Sequence, residues 1–281
     1  NYRQMVQLYG MPEIILSWNG GSSDIDLWMR ARLKQRCIQW QDSMDSYDLR
    51  GAVDASHFDL IKDINWYRRR GGENLEVGKE ILEVWTHMIS IATPHIAEDW
   101  WVMLGNSDLV AGRVFDTPGD LELDELAALD EETYLRAFLE QARKVAKVAS
   151  KHIGGNPNNA IAHISRPWRR ELAQAAISHL ESGENVKSFA ASLATLPFAQ
   201  GEMRGEIMAF WGKRMLPQIF KWSDDEKRMI VSSLDEGAIL SAASGFICSE
   251  LGISSIDIET GDFDIGRSVT AVPLTPSIVY S

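Results

Sequence analysis

The stretch from Asp24 to Gly51, DIDLWMRARLKQRCIQWQDSMDSYDLRG, decides the class of fold. Its apolar residues recur at spacings that approximate one face of an α-helix. Ser23 or Asp24 offers a side-chain oxygen to the free N–H groups at the start of this helix. The polar, glycine-containing end of the stretch predicts a break between two helices. The sequence therefore predicts that the N-terminal part of the chain is helical.

Further helices are predicted in the same part of the chain. The second covers residues 52–70 and ends at Gly71-Gly72, and the third covers residues 75–91. Pro94 lies in the first turn of the next helix, because proline is tolerated where an N–H has no partner. Helices joined by short connections are typical of a bundle. We therefore expect residues 1–112 to form a helical bundle.

The rest of the chain is expected to mix helices with short strands. Residues 113–152 predict an acidic connector followed by a helix over 131–151, whose charges run from acidic to basic as the helix dipole favours. Alternating residues predict strands at 159–164 and 255–259, and a short strand or extended tail at 277–280. Helices are predicted over 169–182, 185–196, 201–216 and 224–251, the last with a break near Gly237.

The predicted fold class is mainly α. A helical bundle over residues 1–112 is followed by the connector and helix of residues 113–152. A small α+β domain, in which helices cover a small sheet, is expected over residues 153–281.

Charge is unevenly distributed along the chain. Its 28 basic and 40 acidic residues give a net charge of −12, which argues against a protein that coats nucleic acid without specificity. Residues 113–140 contain two basic and nine acidic residues, whereas residues 141–170 contain seven basic residues and no acidic one. Screening limits the reach of a charge to about 10 Å at 0.1 M salt. A phosphate backbone would therefore interact with the second block rather than with the average charge.

Composition argues against several classes of protein. No run of roughly 18 apolar residues is present, so no segment is predicted to span a membrane. Cys37 and Cys248 are too few for a disulfide framework or a multi-cysteine zinc site, and they favour a reducing cytoplasm. The spacing of His, Cys, Asp and Glu is not typical of a metal site. Neither metal ligands nor catalytic residues are therefore predicted.

Four motifs of the N-terminal part resemble those of class I aminoacyl-tRNA synthetases. Asp26–Leu33 (DLWMRARL) is similar to the D-x-W-x-x-x-R-L start of their anticodon-binding bundle, and Tyr47–Ala52 (YDLRGA) to its F-x-L-R-x-A break. Asp63–Arg70 (DINWYRRR) resembles the N-D-L-R-W-Y-x-R-R helix end of the leucine enzymes. Ala92–Trp101 (ATPHIAEDWW) resembles A-P-H-x-A-E-E-x-W, which the leucine, isoleucine and valine enzymes share.

The motif near the C-terminus is more specific for the leucine enzymes. Ala271–Ile278 (AVPLTPSI) resembles the A-x-P-L-x-P-A-I ending of archaeal-type leucine–tRNA ligases. Recognisable motifs cover residues 1–105 and 250–281, whereas residues 160–250 match in the order of elements only. The chain is thus similar to the anticodon-binding and C-terminal domains of an archaeal or eukaryotic-type leucyl-tRNA synthetase.

This resemblance implies a fragment that binds tRNA(Leu) by its body and its long variable arm. It also implies that the catalytic and editing domains of the same synthetase are partners, whereas no DNA or membrane partner is expected. The His-x-Gly-His and Lys-Met-Ser-Lys motifs of class I enzymes are incomplete here, and the chain begins at Asn1 without Met. We therefore expect a fragment that is inactive alone and binds no cofactor, with ATP and Mg²⁺ used by the parent enzyme.

Candidate RNA-binding residues form three groups, each with a structural alternative. The first is a basic helix end whose guanidinium groups suit phosphates, or which is simply solvated: Arg68, Arg69 and Arg70. The second is the basic block, which binds RNA or offsets the acidic segment before it: Lys147, Lys151, Arg166, Trp168, Arg169 and Arg170. The third is the C-terminal segment, which either contacts the unstacked bases of an RNA loop or forms an edge strand of a sheet: Ile278, Tyr280 and Ser281.

Two alternative functions stay open at this point. The chain could be the same part of an isoleucine– or valine–tRNA ligase, because one of the motifs is shared. It could also be a helical scaffold for protein–protein interaction, which the net charge of −12 favours.

Overall fold

The computed structural model describes residues 8–115, 118–201, 203–232, 234–260 and 270–281. Contacts between Cα atoms divide the chain into two units, Asn1–Leu129 and Asp130–Ser281. The three-part division into residues 1–112, 113–152 and 153–281 stays a prediction. The two units are described separately below.

The first unit is a helical bundle, as predicted. Its α-helices have the bounds α1 Met11–Leu16, α2 Ile25–Asp45, α3 Leu49–Val53, α4 Leu60–Arg69, α5 Leu75–Ser90 and α6 Pro94–Met103. A π-helical turn, Asp54–Asp59, joins α3 to α4, so the helix predicted over residues 52–70 is irregular in its first half. α6 begins at Pro94 as the sequence predicted.

Tryptophan side chains form much of the core of the first unit. Trp28, Trp85 and Trp100 are each at most 3% exposed. The rings of Trp85 and Trp100 pack edge to face with their centroids 4.9 Å apart. Such a pair contributes about 0.5–1.5 kcal/mol beyond the area that it buries. The bundle is therefore stabilised by side chains that nucleic acid cannot reach.

A buried carboxylate links three parts of the bundle. Asp26 on α2 accepts hydrogen bonds from the Tyr67 hydroxyl (2.6 Å), the Ser23 hydroxyl (2.7 Å) and the Asn74 side-chain amide (2.7 Å). Burial alone would raise the pKa of Asp26, but these hydrogen bonds outweigh it and lower the pKa below 3.8. The ionised carboxylate therefore holds the start of α2 to the end of α4 and the start of α5.

The second unit combines helices with a three-stranded sheet. The central strand, β1 Asn159–His163, pairs in parallel with β2 Ser255–Glu259 and antiparallel with β3 Ser277–Tyr280. Ala160 on β1 is buried opposite Ile256 on β2, and both alternate with more exposed residues. The strands predicted from alternation are thereby confirmed.

Helices make up most of the second unit. The longest, α7, covers Leu123–Ile153 and begins earlier than residue 131, where it was predicted to start. The others have the bounds α8 Pro167–Glu181, α9 Val186–Ser192, α10 Met203–Phe210, α11 Leu216–Ile219, α12 Asp224–Val231, α13 Glu236–Ala242 and α14 Ser244–Leu251. A π-helical turn, Trp211–Met215, joins α10 to α11.

The helix predicted over residues 224–251 with a break near Gly237 is instead divided into three helices, α12, α13 and α14. Ser223 and Glu226 form a capping box at the start of α12. Asp235 has non-helical backbone angles and accepts the Ala238 N–H at the start of α13. A further interruption at Ala243 separates α13 from α14. The breaks therefore lie on both sides of Gly237, where a single break was expected.

Candidate nucleic-acid interface

A glycine pair ends α4 directly after its basic residues. Gly71 has φ of +86°, a left-handed conformation that other L-residues rarely adopt. The Gly72 N–H donates to the Tyr67 carbonyl oxygen at 2.9 Å. A Cβ atom on Gly72 would lie 2.2 Å from the Tyr67 ring, so the turn requires glycine there. The predicted helix stop is confirmed.

The basic residues at this helix end differ in exposure. Arg68 and Arg69 are exposed, and Arg70 is half-buried. The Arg69 guanidinium stands over the Trp66 ring, 5.2 Å from its centroid. Arg68 forms no ion pair with any residue that the structure describes. Because the carbonyl end of a helix favours positive charge, this corner of the first unit can receive a phosphate.

The basic side chains of α2 form ion pairs within the first unit. They pair with carboxylates of the same unit: Arg30 with Glu80 (2.7 Å), Arg32 and Arg36 with Asp63 (3.0 and 2.8 Å), and Lys34 with Glu125 (2.8 Å). Asp63 is 2% exposed, so its two arginines neutralise a buried charge. α2 therefore offers less positive charge to a phosphate than its sequence suggests.

Two lysines of the basic block are exposed on α7. Lys147 and Lys151 lie one helical turn apart, and neither forms an ion pair within the described ranges of the chain. Lys144 lies on the same face, where the Glu140 carboxylate is 3.9 Å away. Arg143, on another part of the helix, is ion-paired with Glu250. The available charge on α7 is thus concentrated at its C-terminal end.

The arginines at the start of α8 pair with acidic residues of the second unit. The Arg166 guanidinium lies 3.0 Å from the Glu206 carboxylate. The Arg170 guanidinium lies 2.7 Å from the Glu236 carboxylate, whose side chain is 2% exposed. These arginines neutralise nearby or buried acids, and their contact with RNA stays a prediction.

Arg169 and Trp168 are packed inside the second unit. Arg169 is 1% exposed, and its guanidinium lies 4.6 Å from the centroid of the Phe210 ring. Trp168 is 9% exposed and packs edge to face against Phe210 at 5.1 Å. Both side chains would have to leave the core to touch RNA. The arginine–tryptophan cluster therefore does not present the stacking surface that its sequence suggested.

The chain terminus forms an edge strand of the sheet, which is one of its two predicted roles. Ile278 and Tyr280 are at most 8% exposed. Burial raises the pKa of Tyr280 to about 12, and its hydroxyl donates to the Ala142 carbonyl oxygen at 2.9 Å. Ser281 is exposed, and its carbonyl oxygen accepts the N–H groups of Asn158 and Asn159, both at 3.0 Å. The contact of Ser281 with RNA stays a prediction.

A groove of about 350 Å³ lies between α7 and β3. Val145, Val148, Ala149 and His152 line it from the helix, and Ile278–Tyr280 line it from the strand. Val148 is 56% exposed at its rim. The groove is not apparent from the sequence, because its walls come from segments far apart in the chain. The apolar positions of α7 beside its lysines were the available signal.

The described residues form neither a metal site nor a membrane-spanning helix. No group of three or more His, Cys, Asp and Glu side chains among them is arranged to hold a metal ion. Within the same residues, no helix is both long enough and apolar enough to cross a bilayer. The expectation that this chain binds no cofactor stays a prediction.

The chain is similar to known proteins over most of its length. Residues 26–153 match the model of the anticodon-binding domain of tRNA ligase. Similar proteins include the leucine–tRNA ligases of Methanococcus vannielii (28% identical over 256 residues), Methanocaldococcus jannaschii (27% over 256 residues) and Methanococcoides burtonii (28% over 263 residues). These alignments cover 91%, 91% and 90% of this chain but 25%, 25% and 26% of the relatives. The chain therefore spans about a quarter of the length of these relatives.

The resemblance inferred from the motifs is confirmed. The relatives named above are leucine enzymes, so the isoleucine, valine and scaffold alternatives are not favoured. Residues 26–153 are similar to the anticodon-binding domains of tRNA ligases, and over about nine-tenths of its length the chain is similar to archaeal leucine–tRNA ligases.

Proposed function

We propose that this chain is the tRNA-binding part of a leucine–tRNA ligase. It positions tRNA(Leu), by the body and the long variable arm, for leucylation by a catalytic domain that lies outside the chain. The observation that carries the proposal is the similarity of nine-tenths of the chain to leucine–tRNA ligases, together with the match to an anticodon-binding domain. The catalytic and editing domains of the same enzyme are its protein partners, and ATP and Mg²⁺ act in the catalytic domain.

Exposed cations support this role in each unit. Arg68 in the first unit and Lys147 and Lys151 in the second are exposed, and none has an ion-pair partner in the parts of the chain that the structure describes. Contacts with phosphates fix the register and orientation of a nucleic acid without reading its sequence. Such contacts suit a module whose task is to place a tRNA rather than to select a base.

We also propose that the protein works in the cytoplasm. Cys37 and Cys248 are free thiols, and burial raises the pKa of Cys37 to about 12. A thiol of this kind is unreactive and is retained easily in a reducing compartment.

Fluorescence anisotropy tests the proposed binding. The chain is titrated into labelled tRNA(Leu) and into the same tRNA without its long variable arm. We expect micromolar binding to tRNA(Leu) that weakens steeply with salt, since it depends on phosphate neutralisation, and weaker binding to the shortened tRNA. Equal affinity for both would contradict recognition of the arm, and no binding to either at low salt would contradict the proposed function.

A further inference from the structure

A tight reversal of the chain precedes the terminal strand. Within Val272–Thr275, the Val272 N–H donates to the Thr275 carbonyl oxygen at 3.2 Å, and the Thr275 N–H donates to that of Val272 at 2.9 Å. Leu274 inside this reversal has φ of +62°. A residue with a branched side chain adopts this left-handed conformation only when its surroundings determine it. The reversal therefore needs groups that hold it.

Two buried charged side chains provide such contacts. The Arg169 guanidinium donates to the Ala271 carbonyl oxygen at 2.9 Å, on the near side of the reversal. The Glu236 carboxylate faces the N–H of Leu274, the strained residue itself, which helps to lower the pKa of Glu236. Arg169 is 1% exposed and Glu236 is 3% exposed. The reversal is thus bound on both sides from the interior of the second unit.

Glu236 is itself fixed from two directions. Its carboxylate oxygens lie 2.7 Å from the Arg170 guanidinium and 3.2 Å from the Tyr134 hydroxyl. Burial raises the pKa of Glu236, and the neighbouring Arg170 opposes that rise. A buried charge pair is costly to desolvate and is weak evidence for stability. Because the Glu236 carboxylate faces one backbone N–H, that of Leu274, its role is to hold the reversal in place.

Beyond the reversal, β3 is held against α7. The Gln141 side-chain amide donates to the Pro276 carbonyl oxygen at 2.9 Å, and the Tyr280 hydroxyl donates to the Ala142 carbonyl oxygen at 2.9 Å. The side chains of Ile278–Tyr280 then form one wall of the groove described above. The conformation of the reversal therefore determines the position of β3, which forms this wall of the groove.

We propose that Arg169 and Glu236 are positioning residues that hold the Ala271–Thr275 reversal and so fix β3 and the exposed terminus in place. They act through the backbone of the reversal and do not touch RNA. The effect on RNA binding rests on the proposed function, whereas the effect on β3 does not.

Hydrogen–deuterium exchange on the full chain tests the effect on β3. The variants are Glu236→Gln, Arg169→Met and the conservative Arg169→Lys, which keeps a cation able to donate to Ala271. Glu206→Gln is the matched control, because its carboxylate pairs with Arg166, just before α8, rather than with the reversal. We expect amides of residues 274–281 to exchange roughly tenfold faster in Glu236→Gln and Arg169→Met, with partial rescue in Arg169→Lys and no change in Glu206→Gln.

The proposal is judged by where in the second unit amide exchange becomes faster. Amides that pair β1 with β2 serve as an internal reference and are expected to keep their wild-type rates. An equal acceleration throughout the second unit would overturn the proposal, because the residues would then be general core residues. Unchanged exchange of residues 274–281 would overturn it as well. If Arg169→Met does not fold, Arg169→Lys tests the contact with Ala271 by a smaller change. Gln141→Ala, which removes the hydrogen bond to the Pro276 carbonyl oxygen, then shows how exchange responds when β3 is loosened directly.

The consequence for RNA is measured separately with tRNA(Leu). We expect Glu236→Gln to weaken binding about fivefold in the full chain and to have no further effect in a chain that ends at Pro276. An equal loss in both backgrounds would contradict action through the terminus. If the wild-type chain bound no tRNA, the proposed function would fail while the exchange experiment still decided the positioning role.

Discussion

Two parts of one basic block differ in whether their cations are exposed or paired inside the second unit. Lys147 and Lys151 lie exposed on α7, whereas Arg169 and Arg170 at the start of α8 are turned toward buried partners. Both parts belong to the 30-residue block with seven basic residues and no acidic one. The difference lies in what the rest of the chain supplies. Glu206, Glu236 and the Ala271 carbonyl oxygen come from distant segments and engage the arginines. A local excess of positive charge is therefore not a measure of the charge that a phosphate can reach.

The largest expected effect is on stability. It distinguishes the internal arginines of the basic block from its exposed lysines. Arg170→Ala leaves Glu236 as an uncompensated buried charge, so we expect the free energy of unfolding of the second unit to fall by about 3–5 kcal/mol. Lys147→Ala is the matched control on the exposed side, and its effect is expected within about 0.5 kcal/mol. Urea denaturation followed by tryptophan fluorescence measures both. Similar losses in the two variants would contradict the distinction between internal and exposed cations.

A smaller effect concerns pH and the buried carboxylate of the first unit. The pKa of Asp26 is lower in the folded state than the ordinary value of 3.8. Its stabilising contribution is therefore complete above about pH 4 and is lost as the pH falls through the folded pKa. We expect Asp26→Asn to cost about 1–3 kcal/mol at pH 7, because it breaks a hydrogen-bonded charge.

The matched control for this prediction is Asp24→Asn, which changes an exposed carboxylate two residues away. Urea denaturation is repeated at pH 7, 5 and 3. The difference between wild type and Asp26→Asn is expected to shrink at the lowest pH, while Asp24→Asn stays close to wild type throughout. A difference for Asp26→Asn that did not depend on pH would argue against an ionised, hydrogen-bonded Asp26.

The smallest expected effect tests the same distinction in the first unit. Arg68 is exposed without an ion-pair partner in the described ranges, whereas Arg30 is paired with Glu80. We expect Arg68→Gln to weaken tRNA(Leu) binding about three- to fivefold by removing one phosphate contact, with little effect of Arg30→Gln. Anisotropy titrations at low salt measure both affinities. A larger loss for Arg30→Gln would reverse the assignment.

Local patterns predicted much of the fold because their causes are local. The strand Ser255–Glu259 follows from strict alternation, and the end of α4 follows from glycines that alone fit the turn. The helix predicted over residues 224–251 was given one break near Gly237, but Asp235 caps a new helix start before that residue, which periodicity does not reveal. The π-helical turns at Asp54–Asp59 and Trp211–Met215 likewise have no simple sequence signal.

The candidate site was less predictable than the fold, for a physical reason. Whether an arginine meets a phosphate depends on its nearest acid, and that acid is set by tertiary packing. The sequence placed Lys151 and Arg166 in one basic block, but of the two only Arg166 has Glu206 at 3.0 Å. The burial of Ile278 and Tyr280 depends in the same way on α7, more than a hundred residues earlier in the chain.

The salt dependence of tRNA(Leu) binding tests the central claim most directly. The slope of the logarithm of the binding constant against the logarithm of salt concentration counts the phosphates that the protein neutralises. We predict that the Lys147→Ala/Lys151→Ala double variant lowers the magnitude of this slope by about two, whereas Arg166→Gln leaves it unchanged. An unchanged slope in the double variant, together with a lower one in Arg166→Gln, would contradict the account.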